Sequence, residues 1–125
     1  MIGEIMSKAD CKPGQMKIEG RCQKVTNITI SARRWFDKIN GNTYHSVDVF
    51  ANGVHIANEP FAYGYDEAYL QTAHKLLQDK GVYEKTDKRL TSGADHDYYE
   101  FMMDMRNNRS KFVVVVSDVA RKKDL

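Results

Sequence analysis

From Val25 to Phe36 the chain reads Val-Thr-Asn-Ile-Thr-Ile-Ser-Ala-Arg-Arg-Trp-Phe, and apolar residues alternate with polar ones through the first half of the run. A two-residue period of this kind predicts a strand. Asn40-Gly41 and Asn52-Gly53 then mark two-residue hairpin turns, because Asn and Gly tolerate the positive φ angles that such turns require. Together they predict a three-stranded meander over 25–39, 42–51 and 54–60, with Gln15 to Lys24 as a short further edge strand.

Two-residue loops fix register. The first turn sets Ile39 opposite Asn42, hence Phe36 opposite His45, Arg34 opposite Val47, Arg33 opposite Asp48 and Ala32 opposite Val49. The second sets Ala51 opposite Val54 and Val49 opposite Ile56. Both assign Ile28, Ile30, Ala32, Phe36, Val47, Val49, Val54 and Ile56 to one apolar face, and Thr29, Ser31, Arg33, Trp35, Tyr44, Ser46, Asp48, Phe50 and His55 to the other. Arg34 is left on the apolar side. That is costly unless its guanidinium reaches the sheet rim or an acid, or a bulge near Arg33-Arg34 turns it outward.

Helical spacing takes over beyond Gly64. A helix is predicted over 66–80, with Asp66 and Glu67 in its first turn, a buried stripe of Tyr69, Leu70, Ala73, Leu76 and Leu77, and Gly81 as its terminator. Residues 82–92 read as a loop, with Val82 and Tyr83 packed back on the helix. A second helix over 94–108, capped by Ser92 or Asp95, repeats apolar residues at Tyr98, Phe101, Met102 and Met105. The run Phe112-Val113-Val114-Val115-Val116 is apolar on both faces and predicts an interior strand. The order β-β-β-α-α-β, with room for an extra N-terminal strand, is an α+β fold: a twisted antiparallel sheet with two helices packed on one face.

Composition changes this picture little. The 125 residues suit a single domain over 1–125, with 1–10 expected to be flexible and 121–125 to form a basic tail. Nineteen basic and 17 acidic residues give a formal charge of +2; they are scattered, so charge alone predicts no polyanion binding. The basic cluster Arg121, Lys122 and Lys123 is expected to be solvated. There is no apolar run of about 18 residues to cross a bilayer, and Met1-Ile2-Gly3-Glu4 does not open a signal peptide. A cytoplasmic location without a membrane partner is the expectation. Cys11 and Cys22 enclose Lys12-Pro13-Gly14-Gln15, which reads as a turn, so their sulfurs can face each other; in a reducing cytosol free thiols are expected. Two cysteines without a C-x-x-C or H-x-x-x-H spacing do not make a zinc site, and no metal or cofactor is expected.

The outer sheet face is the best functional candidate, with Arg33, Trp35, Tyr44, Asp48 and Phe50 as its binding residues. A flat aromatic and basic surface can stack a nucleotide base. It can equally anchor a protein partner, since Trp, Tyr and Arg dominate interface hot spots, or be a second core covered by helices or by a second copy of the chain. Asp95-His96-Asp97 and Glu100 form the densest acid and His cluster, but two ligands on one helical face are too few for a metal. His45 reads as a buried imidazole, and His55 and His74 stand alone. P-loop, G-x-G-x-x-G, G-x-S-x-G and H-E-x-x-H patterns are absent, and no catalytic residue is assigned.

Two resemblances follow from particular stretches. Tyr44 to Leu77 resembles the ββα half of a double-stranded-RNA-binding domain: paired strands, Asn52-Gly53, then Tyr63-Gly64-Tyr65 opening an alanine-containing helix. That family carries lysines at the helix start to grip phosphate, whereas this helix starts with Asp66 and Glu67, which repel RNA. Over more of its length the chain is similar to small accessory proteins of tailed bacteriophages, through Ser31-Ala32-Arg33-Arg34-Trp35-Phe36, Gly41-Asn42-Thr43-Tyr44-His45-Ser46-Val47, Tyr69-Leu70-Gln71-Thr72-Ala73 and the ending Phe112 to Leu125. This resemblance implies a phage origin and with it the host-cell cytoplasm as location; by analogy with small phage accessory proteins in general, action by binding and inhibiting or redirecting a host factor is the expectation.

Overall fold

A computed structural model describes residues 15–18, 20–83 and 94–125. Strands form where the chain alternates: β1 (Gln15–Ile18) and β2 (Arg21–Lys24) make an N-terminal hairpin, and β3 (Ile28–Asp37), β4 (Asn42–Ala51) and β5 (Val54–Tyr63) make the expected meander. Helices α1 (Ala68–Asp79) and α2 (Ala94–Asn107) follow, and β6 (Phe112–Val119) closes the sheet in the order β5-β4-β3-β6. The fold is α+β, as the sequence predicts. Three strands are antiparallel, while β6 joins β3 in parallel.

Alternation explains the core. Ile28, Ile30 and Ala32 of β3, with Val47, Val49 and Ala51 of β4, are all at most 1 % exposed. They share one face beneath Leu70, Ala73 and Leu77 of α1 and Phe101 of α2. A one-residue slip would turn Ile28, Ile30, Val47 and Val49 to solvent and lose roughly 6–12 kcal/mol, comparable with the whole stability of a small domain. α1 lies against β4 and β5. Phe101 reaches β6 through Phe112, ring centroids 6.1 Å apart. Gly81, at φ 83°, ends α1 in the left-handed conformation, and Val82 N–H then bonds to Leu77 O at 2.9 Å, folding Val82 and Tyr83 back on the helix as expected. The phenol of Tyr83 donates to Asp104 of α2.

Several expectations are corrected. The first hairpin has a four-residue loop, because Asp37 pairs with Asn42 and its carboxylate accepts from Ile39 N–H at 3.0 Å, Asn40 N–H at 3.2 Å and Asn40 Nδ2 at 2.8 Å. These bonds, that from the Asn40 side chain foremost, lower the pKa of Asp37. Register therefore moves by two residues: Arg34 faces His45 and Ala32 faces Val47. A shift of two keeps every side chain on its own face, so the face assignment of β3 and β4 stands. In the second hairpin Ala51 pairs with Val54 as predicted, but Ile56 is bulged out and Val49 pairs with Ala57. Phe36 is 52 % exposed, since it pairs with Thr43 near the end of the strand. No bulge rescues Arg34; it reaches the rim and binds Asp118 at 2.9 Å and Asp66 O at 3.3 Å. Asp66 and Glu67 precede α1 rather than occupying its first turn. The valine run of β6 is at the sheet edge, not inside it. Cys22 is disulfide-bonded, against the expected free thiol; Cys11, the other cysteine of the chain, lies outside the described residues, as do residues 1–10 and Ser92.

Asn52 ties the meander to the hairpin before it. It takes a left-handed φ of 51°. From there Oδ1 accepts from Thr26 N–H at 2.9 Å, Thr26 Oγ1 at 3.2 Å and Asn27 N–H at 3.2 Å, while Nδ2 donates to Lys24 O at 2.8 Å. Asn52→Gly, which keeps the backbone but loses these bonds, is expected to cost about 1–2 kcal/mol. Asn52→Ala should cost roughly 1 kcal/mol more, from left-handed strain. Urea denaturation checks the order wild type, Gly, Ala; an alanine variant as stable as the glycine variant contradicts this reading.

Candidate protein-interaction face

The face of the sheet away from the helices carries the side chains that the alternation leaves over. Val119, Trp35, Tyr44 and Tyr63 lie side by side on β6, β3, β4 and β5. Trp35 stacks on Tyr44, with centroids 5.8 Å apart and planes inclined by 24°. Tyr44 stacks on Phe61 at 4.7 Å and 17°. Because Trp35 and Phe61 come from strands on either side of β4, the phenol ring of Tyr44 is sandwiched. Tyr63 meets Tyr44 edge-on at 5.6 Å, and Tyr65 extends the cluster at 5.7 Å. The Tyr63 hydroxyl donates to that of Tyr65 at 3.2 Å, and this bond is the main reason its pKa is raised.

Arg121, Lys122 and Lys123 are exposed. After β6 the chain makes a 3-10 turn at Lys122–Asp124, held by an Arg121–Asp124 ion pair at 3.3 Å. Lys122 Nζ lies 5.0 Å over the Phe61 ring, a cation–π contact of about 0.5–1 kcal/mol at an exposed site. Pro60, Phe61, Lys122, Lys123 and Leu125 line a shallow depression beside the aromatic row.

Of the five residues assigned from sequence, Trp35 and Tyr44 are in contact, and Arg33 is exposed next to them, paired across strands with Ser46 and Ser117. Asp48 and Phe50 belong to a separate group at the other end of the face. There Asp48 Oδ1 is 2.8 Å from His55 Nε2 and accepts from Asn58 Nδ2 at 2.9 Å, and Phe50 packs against the His55 ring at 5.1 Å. His55 is therefore not isolated. Phe61, Tyr63 and Tyr65 are not among the residues that the sequence assigns to the face, because Pro60 reads locally as the end of a strand; the alternation of Phe61 with Tyr63 is the signal that β5 continues to Tyr63.

The acid and His cluster is described only in part. Asp97 is buried and accepts from Gln78 Nε2 at 3.3 Å, Glu100 is exposed, and the side chains of Asp95 and His96 lie outside the described residues. Among the described residues no cluster of acids, histidines and cysteines could hold a metal, and no helix is long and apolar enough to cross a membrane. His74 is not isolated either: it is buried and stacked on Phe101 at 4.9 Å. His45 is buried as predicted, with Nε2 2.7 Å from Thr72 Oγ1.

Comparison with protein-family models, curated proteins and solved structures finds no match to this chain.

Burial lowers the pKa of both His45 and His74 from the usual 6.5, offset in part by Glu59 and Asp97 respectively. Folded protein then binds fewer protons than unfolded protein below that value, so stability is complete above about pH 6.5 and falls as the solution is acidified. Melting temperature is expected to drop between pH 7.5 and 5. The combined His45→Gln, His74→Gln variant should show a flatter slope over that window whatever its absolute stability. An equal slope in the variant would assign the acid sensitivity to other groups.

Proposed function

We propose that this chain is a small non-catalytic binding protein of phage type, acting through protein–protein contacts on the outer face of its sheet. A host factor that it modulates or inhibits is the partner class implied by the phage resemblance. What carries the reading is the aromatic row Trp35–Tyr44–Phe61 on a face away from the helices. Rings held by their neighbours lose little entropy on binding, which is what an anchor at an interface needs. Phe61, Tyr63 and Tyr65 are 41 %, 57 % and 51 % exposed, and flanking Arg33 and Lys122 supply polar and cationic contacts at the rim.

Ring orientation favours a protein over a nucleic acid. Base stacking needs an exposed π-face, yet the faces of Tyr44 are taken by Trp35 and Phe61, and Lys122 lies over Phe61. Exposed Asp66 and Glu67 at the approach to α1 also oppose phosphate where the RNA-binding family has lysines.

Pull-down from bacterial lysate with wild type, Trp35→Ala and Ser117→Ala checks this. Trp35→Ala is expected to lose a partner that wild type and Ser117→Ala retain, with affinity lowered by about 2 kcal/mol, or about thirtyfold. Identical partner sets for all three would remove the row from consideration. Titrating the Trp35 fluorescence with single-stranded oligonucleotides at low salt is expected to give no quenching; salt-sensitive quenching would favour the nucleic-acid reading.

A further inference from the structure

By composition β6 is an interior strand, and it sits at an edge. Val113, Val114 and Val115 are 47 %, 40 % and 52 % exposed, and among the described residues β6 pairs with β3 alone. An edge offers a row of unpaired N–H and C=O groups that recruits another strand unless it is blocked. The opposite edge is blocked: β5 contains Pro60, which has no N–H to donate, and its ladder is broken near Ile56 and again between Glu59 and Ala62. Along β6 the ladder with β3 runs without a break, and no charge or proline occurs before Asp118.

We propose that a second copy of this chain pairs antiparallel along β6, joining the two four-stranded sheets into one. The strand's own charges select this arrangement. Arg109 and Lys111 stand at its start and Asp118 near its end. Antiparallel pairing about a two-fold axis brings each basic start towards the acidic end of the other copy, whereas parallel pairing would align like charges. Asp118 is 75 % exposed at its side chain despite its bond to Arg34, so it remains accessible. Pairing centred on Val114 sets Val113 of each copy against Val115 of the other, closing four exposed valines into one apolar cluster. The axis stands perpendicular to the sheet, which keeps the helices of both copies on one side and leaves the two aromatic rows free at diagonal corners of the other.

Light scattering and amide hydrogen exchange on the wild-type chain and on Val113→Lys/Val115→Lys test the proposal. Both valines are solvent-facing, so lysine can be accommodated without entering the core, and circular dichroism confirms that the fold persists; Val115→Lys alone serves if the double variant fails to melt cooperatively. Wild type is expected at twice the 14.4 kDa chain mass with slow exchange from Val113 to Ser117, and the variant at the single mass with faster exchange there. A wild type of single mass at roughly 100 μM overturns the proposal, and slow β6 amides in that case would place another segment of the same chain on the edge. A double mass that survives the lysines overturns it as well, and locates self-association elsewhere.

Discussion

Burial of Ile28, Ile30, Val47 and Val49 beneath the helices leaves the residues between them only the other side of the sheet. Arg33, Trp35 and Tyr44 are on the outer face for that reason and not because any contact of their own holds them there. Once outside, the rings make the best of exposure by stacking across three strands, each pair contributing about 0.5–1.5 kcal/mol beyond its burial. The C-terminal turn adds Lys122 to the end of the row. The order of this surface comes from contacts within the chain itself.

The same sheet treats its two edges unequally. Proline and register breaks protect β5, while β6 offers uninterrupted valines. On the helix side, Asp104 gathers the end of α2, accepting from Tyr83 and from Asn108 Nδ2 at 2.7 Å and lying 3.7 Å from Lys111 Nζ. This cluster anchors the entry to β6, and Phe112 and Val116 pack against the core. β6 is thus held in place by one flank and its inner face.

How much of this could be read from the chain depends on which physical signal each feature leaves. The period of two gives the faces of β3 and β4 correctly even though the Asn-Gly signal predicts a first loop two residues too short, because parity survives a shift of two. Asp37 defeated the turn assignment: its carboxylate captures the Ile39 and Asn40 amides, a side-chain effect that Asn-Gly pattern reading does not weigh. Pro60 concealed half of the aromatic cluster, since proline in a strand is tolerated at an edge and nothing local says that β5 is one. The valine run announced burial on both faces. Its edge position is a property of topology, which the run itself does not encode. Lys122 was legible only as charge, and its place over Phe61 arises from the direction in which the chain leaves β6.

Acrylamide quenching of the single tryptophan tests the division of the sheet into two faces most directly. With Trp35 half-buried in an open row, native protein should be quenched appreciably, and unfolding in denaturant should raise the quenching constant only modestly. Fluorescence that stays unquenched until the chain unfolds would put the indole in the core, and with it the valines of β4 in solvent, contradicting the account at its root.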